Sequence, residues 1–168
     1  HNAAEKKAVK EGRQLAAQHL KPVLGCEFYI CRDHTDKTTK DNGYLVPVIA
    51  KNKNGYQNLS RLSSIASIEG FYYVPRITHE VLLKYKDDLI VTTGGLSAEV
   101  PSLLLNVGEH QAENALLWWK EHFGDDFYIE LNRHGLEEED FLNDFLLKMA
   151  HKHGIKYFAA NNVHYLDR

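Results

Sequence analysis

The 168 residues predict an α/β fold, in which helices pack outside a sheet of mainly parallel strands. Three observations carry this. From residue 86 onward, short β-favouring runs alternate with helix-period runs in the order strand, helix, strand, helix, strand, the pattern of parallel strands joined by covering helices. Hydrophobic residues make up 43% of the chain and aromatics 11%, enough for one domain with a sizeable core. Upstream, Lys21-Pro22-Val23-Leu24-Gly25-Cys26-Glu27-Phe28-Tyr29-Ile30 reads as a strand, with Pro22 at its start, where a missing N–H does least harm.

In chain order, Asn2 with Glu5 three residues later fits a capping box for a helix to about Gln18, polar apart from a thin stripe of Val9, Leu15 and Ala16. In the strand that follows, period-two alternation puts Cys26, Phe28 and Ile30 on one face and Glu27 and Tyr29 on the other. Glu27 is then either an edge carboxylate in solvent or a ligand or acid/base group projecting into a site. Residues 32–42 contain no hydrophobic side chain and read as a solvated loop. A second strand is expected over 44–50, with Pro47 marking an interrupted or edge ladder. Asn54-Gly55 opens a helix to about Ile68, in which Leu59, Leu62, Ile65 and Ala66 recur at helical spacing and after which Gly70 can terminate it.

Residues 71–76 read as an aromatic connector and 79–85 as a short helix. Residues 88–92 form the third strand, followed by Thr93-Gly94-Gly95. Helical pieces are expected at 101–105 and 109–123, the second with Ala112, Ala115, Leu116 and Trp119 turned inward and Trp118 partly exposed. The fourth strand spans 127–131. Glu137, Glu138, Glu139 and Asp140 open the next helix, where acidic residues complement the macrodipole. That helix carries Phe141, Phe145, Leu146 and Met149 and ends at His153-Gly154. The fifth strand, 155–160, delivers Asn161, Asn162 and His164 to its carboxyl end.

Composition narrows the function. A net charge of -3 argues against a basic platform that grips nucleic acid by counterion release. No signal peptide and no run of about 18 apolar residues is recognisable, so neither secretion nor a membrane span is indicated. Cys26 and Cys31 would be about 16 Å apart on extended backbone, beyond disulfide reach, which fits a reducing, cytoplasmic setting.

In α/β folds chemistry collects at strand carboxyl ends, where Gly94-Gly95, residues 132–134 and residues 162–164 fall. Asn162 and His164, two apart on extended chain, face one side. If Glu27 faces the same space, a carboxylate and an imidazole converge as a metal half-site, too poor in ligands to hold a cluster unaided. The other histidines offer less. His151 and His153 point about 200° apart on a helix and cannot share an ion, and His34, His110 and His122 read as surface residues. His134 follows a strand and stays a candidate beside His164. No His-Glu-x-x-His, phosphate-binding loop or Cys-x-x-Cys is present.

Five blocks, in order, carry a family resemblance. They are the 21–29 strand, Ala50-Lys51-Asn52 through Gly55-Tyr56-Gln57-Asn58-Leu59, Glu69-Gly70-Phe71-Tyr72-Tyr73-Val74-Pro75-Arg76-Ile77, Phe123-Gly124-Asp125-Asp126-Phe127-Tyr128, and Asn161-Asn162-Val163-His164-Tyr165-Leu166. Together they resemble the polymerase-and-histidinol-phosphatase (PHP) domain at the amino terminus of bacterial DNA polymerase III alpha subunits. The resemblance implies a partial, distorted (β/α)7 barrel with its first strands missing, residues 1–168 being the carboxyl-terminal part of one PHP domain.

The family's nine-residue metal site lies in the barrel mouth. Its Glu corresponds to Glu27 and its final His to His164, while an expected His falls on Leu45, a Cys on Gly95 and an Asp on Asn162. With three of five inspectable ligands changed, the resemblance implies a degenerate site in a structural and partner-docking scaffold of a DNA-directed DNA polymerase. A metal-dependent phosphoesterase, a 3′–5′ exonuclease or pyrophosphatase, is the alternative. No cofactor is expected for the scaffold, Zn or Mn for an active PHP site, and Mg for the parent polymerase. DNA and replisome subunits, among them the sliding clamp and a proofreading subunit, are the implied partners, through the parent chain and with no membrane.

Overall fold

The computed structural model describes residues 22–161. The predicted amino-terminal helix, Asn162 and His164 lie outside the described residues. In chain order the elements are β1 (Gly25–Ile30), β2 (Tyr44–Ala50), α1 (Lys53–Ile68), β3 (Arg76–Ile77), α2 (His79–Lys84), β4 (Leu89–Thr92), α3 (Glu99–Asn106), α4 (Glu109–Phe123), β5 (Phe127–Asn132), α5 (Glu137–His153) and β6 (Lys156–Ala160). The strands form one six-stranded sheet in the order β3-β1-β2-β4-β5-β6, which is open among the described residues and fits part of a PHP-type barrel.

Only β2 runs against the rest. It is antiparallel to both β1 and β4, whereas β1 and β3, β4 and β5, and β5 and β6 pair in parallel. The carboxyl ends of five strands and the amino end of β2 therefore share one rim of the sheet.

Strand alternation separates the two faces of that sheet. Phe28 and Ile30 of β1, Val46 and Val48 of β2, Leu89 and Val91 of β4, and Phe127 and Ile129 of β5 are all buried in one core. The helices supply its other half, through Leu59 and Leu62 of α1, Leu82 of α2, Leu104 of α3, Leu116 and Trp119 of α4, and Phe145 and Leu146 of α5. Each such side chain contributes about 1.5–3 kcal/mol by leaving water. The alternate residues, among them Glu27, Tyr29, Leu45, Thr92, Glu130 and Asn132, lie on the opposite face. The helices thus cover one face and leave the other available for a site.

Local chemistry explains the element ends. Asn52 caps α1 by accepting from the N–H groups of Asn54 and Gly55, and its amide also donates to Asp88 at 2.8 Å. Gly70, just past that helix, packs so closely on the Arg76 carbonyl that any Cβ would collide with it. Gly43 has φ +66 and turns the chain into β2 against the Ile30 carbonyl.

Two expectations change, and a third resolves between its alternatives. Residues 76–77 are a strand rather than connector, because Tyr29 and Ile30 of β1 supply parallel partners to Arg76 and Ile77. Of the two readings of Pro47, the interrupted ladder holds and the edge position does not, since β2 is an interior strand. Ala50 N–H donates to Leu24 on the β1 side, so the nitrogen of Pro47 faces β4, whose ladder has ended at Val48. Finally, Phe141 is 52% exposed, and Leu142, one helical step round, packs in the core instead. No helix among the described residues is long and apolar enough to cross a membrane.

Candidate functional site

A cleft of about 350 Å³ opens at the rim where the strand carboxyl ends meet. β1 supplies Glu27, β2 supplies Leu45, and β5 supplies Glu130 and Asn132. The loop after β4 adds Gly95 and Leu96, and the segment entering α5 adds His134, Leu136 and Glu139. The polar residues reach it because they occupy the strand positions that alternate with the core. Glu130 lies between Ile129 and Leu131, and Asn132 follows two residues on.

Glu130 is built into the floor. Its Oε2 accepts from the Thr92 hydroxyl at 2.8 Å and its Oε1 from the Asn132 amide at 3.1 Å, while its backbone N–H donates to Thr93 Oγ1 at 2.9 Å. Asn132 is only 8% exposed. Its backbone carbonyl accepts from Asn143, but its side-chain Oδ1 is buried with no hydrogen-bond partner.

The second cluster is His134 with Glu139. The Glu139 carboxylate takes the His134 backbone N–H at 2.5 Å and lies 2.6 Å from His134 Nδ1, while His134 Nε2 is 2.8 Å from Asn161 Oδ1. The hydrogen bond to Glu139 raises the pKa of His134, burial opposing it only in part. Burial alone would push Glu139 up, but the hydrogen bonds from the His134 ring and backbone outweigh it and hold the carboxyl below its usual range. The two shifts favour the charged form of each partner, and the pair, with Asn161, ties the end of β6 to the entry of α5.

Of the residues singled out in the sequence, Glu27, Leu45 and Gly95 do line one cleft. His134 lines it too, engaged with Glu139 and Asn161 rather than presented as a metal donor. His153 lies 2.6 Å from Glu113 and His151 packs edge-on against Tyr157, so the two point apart as the helical period requires. His34 is half-buried rather than on the surface, because its carbonyl helps to hold Arg76. Sequence reasoning missed Glu130 and Glu139. The alternation Tyr128, Glu130, Asn132 in β5 could have found the first, since it puts a carboxylate on the same face as Glu27. Glu139 was hidden within an acidic run that reads as an ordinary first turn.

Among the described residues, the side chains at two positions that the family resemblance assigns to ligands do not fit a metal centre. Leu45 and Gly95 have no donor atom, and no three His, Cys, Asp or Glu among the described residues are grouped to hold an ion.

Comparison with known proteins places these observations. The PHP domain family matches residues 2–134. The DNA polymerase III subunit alpha of Borreliella burgdorferi is 38% identical over 165 residues, covering 96% of this chain and 14% of that protein. The proteins of the same name from Deinococcus radiodurans and Thermus aquaticus are 38% identical over 156 residues and 37% over 166. They cover 89% and 96% of this chain, and 12% and 14% of those proteins. The chain thus spans about one-seventh of the length of these relatives.

Proposed function

The chain belongs to the PHP domain family, and from that premise we propose that it is a structural and partner-docking scaffold within a replicative DNA polymerase alpha subunit, with a degenerate metal site. The observation that carries this reading is the lining of the cleft. Where the family resemblance expects imidazole and thiolate donors, the cleft presents Leu45 and Gly95, and Glu27 is the one expected ligand among the described residues. Glu27 without the family's imidazole and thiolate donors does not assemble the ions that would activate water and spread phosphate charge. The supporting similarity is to proteins named DNA polymerase III subunit alpha.

In this reading nucleotidyl transfer, with its Mg ions, belongs to the rest of the parent chain, as do DNA and the sliding clamp. The PHP domain stabilises that chain and offers a surface to a separate proofreading subunit, in a cytoplasmic replisome. The test is made on the full-length alpha subunit carrying Glu27→Ala and His164→Ala, with circular dichroism to establish folding. Primer extension is expected at the wild-type rate, and neither protein should remove a mismatched 3′ nucleotide by itself. A wild-type subunit that trims 3′ ends, and a folded double variant that extends primers normally but no longer trims, would establish the metal-dependent exonuclease instead.

A further inference from the structure

The cleft keeps an unbalanced set of acceptors after its internal contacts are counted. Among the described residues three carboxylates line it, from Glu27, Glu130 and Glu139, and no Lys or Arg does. His134 is the one basic side chain in the lining among the described residues, and it answers Glu139. Among the described residues, two carboxylates therefore face the cleft with no cation beside them. Asn132 adds a second, independent sign. Its amide nitrogen is committed to Glu130, so its Oδ1 is left as a buried acceptor without a donor in a side chain that is 8% exposed. Folded proteins seldom leave such an atom unsatisfied, and an ordered ligand is one of the ways it is answered.

We propose that this cleft receives an N–H-donating organic cation, a guanidinium or primary ammonium group, held between the Glu27 carboxylate, the Asn132 Oδ1 and the Glu130 carboxylate. The polarity of the site disfavours a bare phosphate, which would meet two negative charges and, among the described residues, no Lys or Arg. The apolar walls of Leu45, Leu96 and Leu136 suit the carbon stem of such a cation better than a hydrated metal ion. A guanidinium carries five N–H donors in a plane and an ammonium three, so either can serve a carboxylate and an amide oxygen together.

The inference rests on reading the cleft as a site without a resident metal, and the test keeps the two apart. Methylguanidinium is titrated into the isotopically labelled 168-residue chain and followed by NMR. Saturable shifts are expected at the Asn132 side-chain amide and the Glu130 backbone amide. Affinity should fall about tenfold or more in Glu27→Gln, because charge-assisted hydrogen bonds are markedly stronger than neutral ones. Tetramethylammonium, with the same charge and no N–H, should leave both signals in place. Equilibrium dialysis of methylguanidinium against the full-length subunit then separates two sources of the cation. Retained binding identifies a free metabolite, and lost binding identifies a Lys or Arg of the parent chain already seated in the cleft.

Absent shifts at either amide, equal shifts with tetramethylammonium, or unchanged affinity in Glu27→Gln would overturn the inference and leave the scaffold reading standing. Stoichiometric Mn²⁺ broadening of the Glu27 and Glu130 signals would overturn both.

Discussion

Arg76 shows how much one side chain organises. It is fully buried, yet among the described residues its guanidinium meets no carboxylate. Nε donates to the Gly70 carbonyl at 3.1 Å, one terminal nitrogen to Asp41 at 2.8 Å, and the other to Asp36 at 2.8 Å and His34 at 3.3 Å. Four carbonyls from the polar 32–42 loop and the end of α1 are thus gathered on one planar group. Arg76→Met should destabilise the protein by about 1–3 kcal/mol or more, since each orphaned buried acceptor costs on that order. Arg76→Lys should rescue little, because a point-like ammonium cannot span four acceptors. Urea unfolding measures both. Proteolytic cleavage should move to residues 32–42 in the variants, and an unchanged cleavage pattern would show that the loop holds itself.

His134 and Glu139 make a pH prediction at the same scale. The folded-state pKa of His134 is raised, so its contribution is complete below the unfolded value of about 6.5 and is lost as pH rises through the folded value. That of Glu139 is lowered, so its contribution is complete above about 4.3 and is lost as pH falls through the folded value. The difference in melting temperature between wild type and His134→Gln should therefore be largest between about pH 4.5 and 6.5. It should shrink on the alkaline side. A difference that grows above pH 8 would contradict the ion pair.

At the scale of elements, the parts legible in sequence were those specified locally. β2, α1 and α4 were readable from β-branched runs, the Asn54-Gly55 turn signal and helical spacing, and they sit where those signals put them. β3 was not legible, because two residues carry no periodicity and become a strand only through their partners in β1. Phe141 misled for a related reason: in α5 both Phe141 and Leu142 are apolar, and only packing decides which of two positions 100° apart faces the sheet. Glu130 was overlooked because its strand was read for its apolar residues alone. The sheet order also predicts dynamics. β2 is paired on both sides, whereas β6 pairs only with β5 among the described residues and exposes Tyr157 and Phe158. Hydrogen exchange should be slowest at Val46 and Val48 and faster by orders of magnitude across β6. Equal protection in both strands would mean that β6 has a further partner.

For the molecule as a whole, topology sets where function can lie. Because helices cover one face and five strands end at one rim, the opposite face gathers Glu27, Glu130, Asn132 and the His134–Glu139 pair into a single cleft. The family resemblance located Glu27 there, and the register of β1 with β2, Glu27 opposite Pro47 and Tyr29 opposite Leu45, places Leu45 beside it. What the sequence could not convey was that Thr92 bonds Glu130 across 38 residues, or that the chain leaving β5 brings Asn132 onto Glu130 and His134 onto Glu139. The central claim is that this cleft is a degenerate metal site. It is tested most directly by elemental analysis of the 168-residue chain after equilibrium dialysis against Zn²⁺ and Mn²⁺ and removal of loosely held ions. The account predicts well under one equivalent of either metal, unaltered by Glu27→Ala. One or more tightly held equivalents, lost in a folded Glu27→Ala protein, would contradict it.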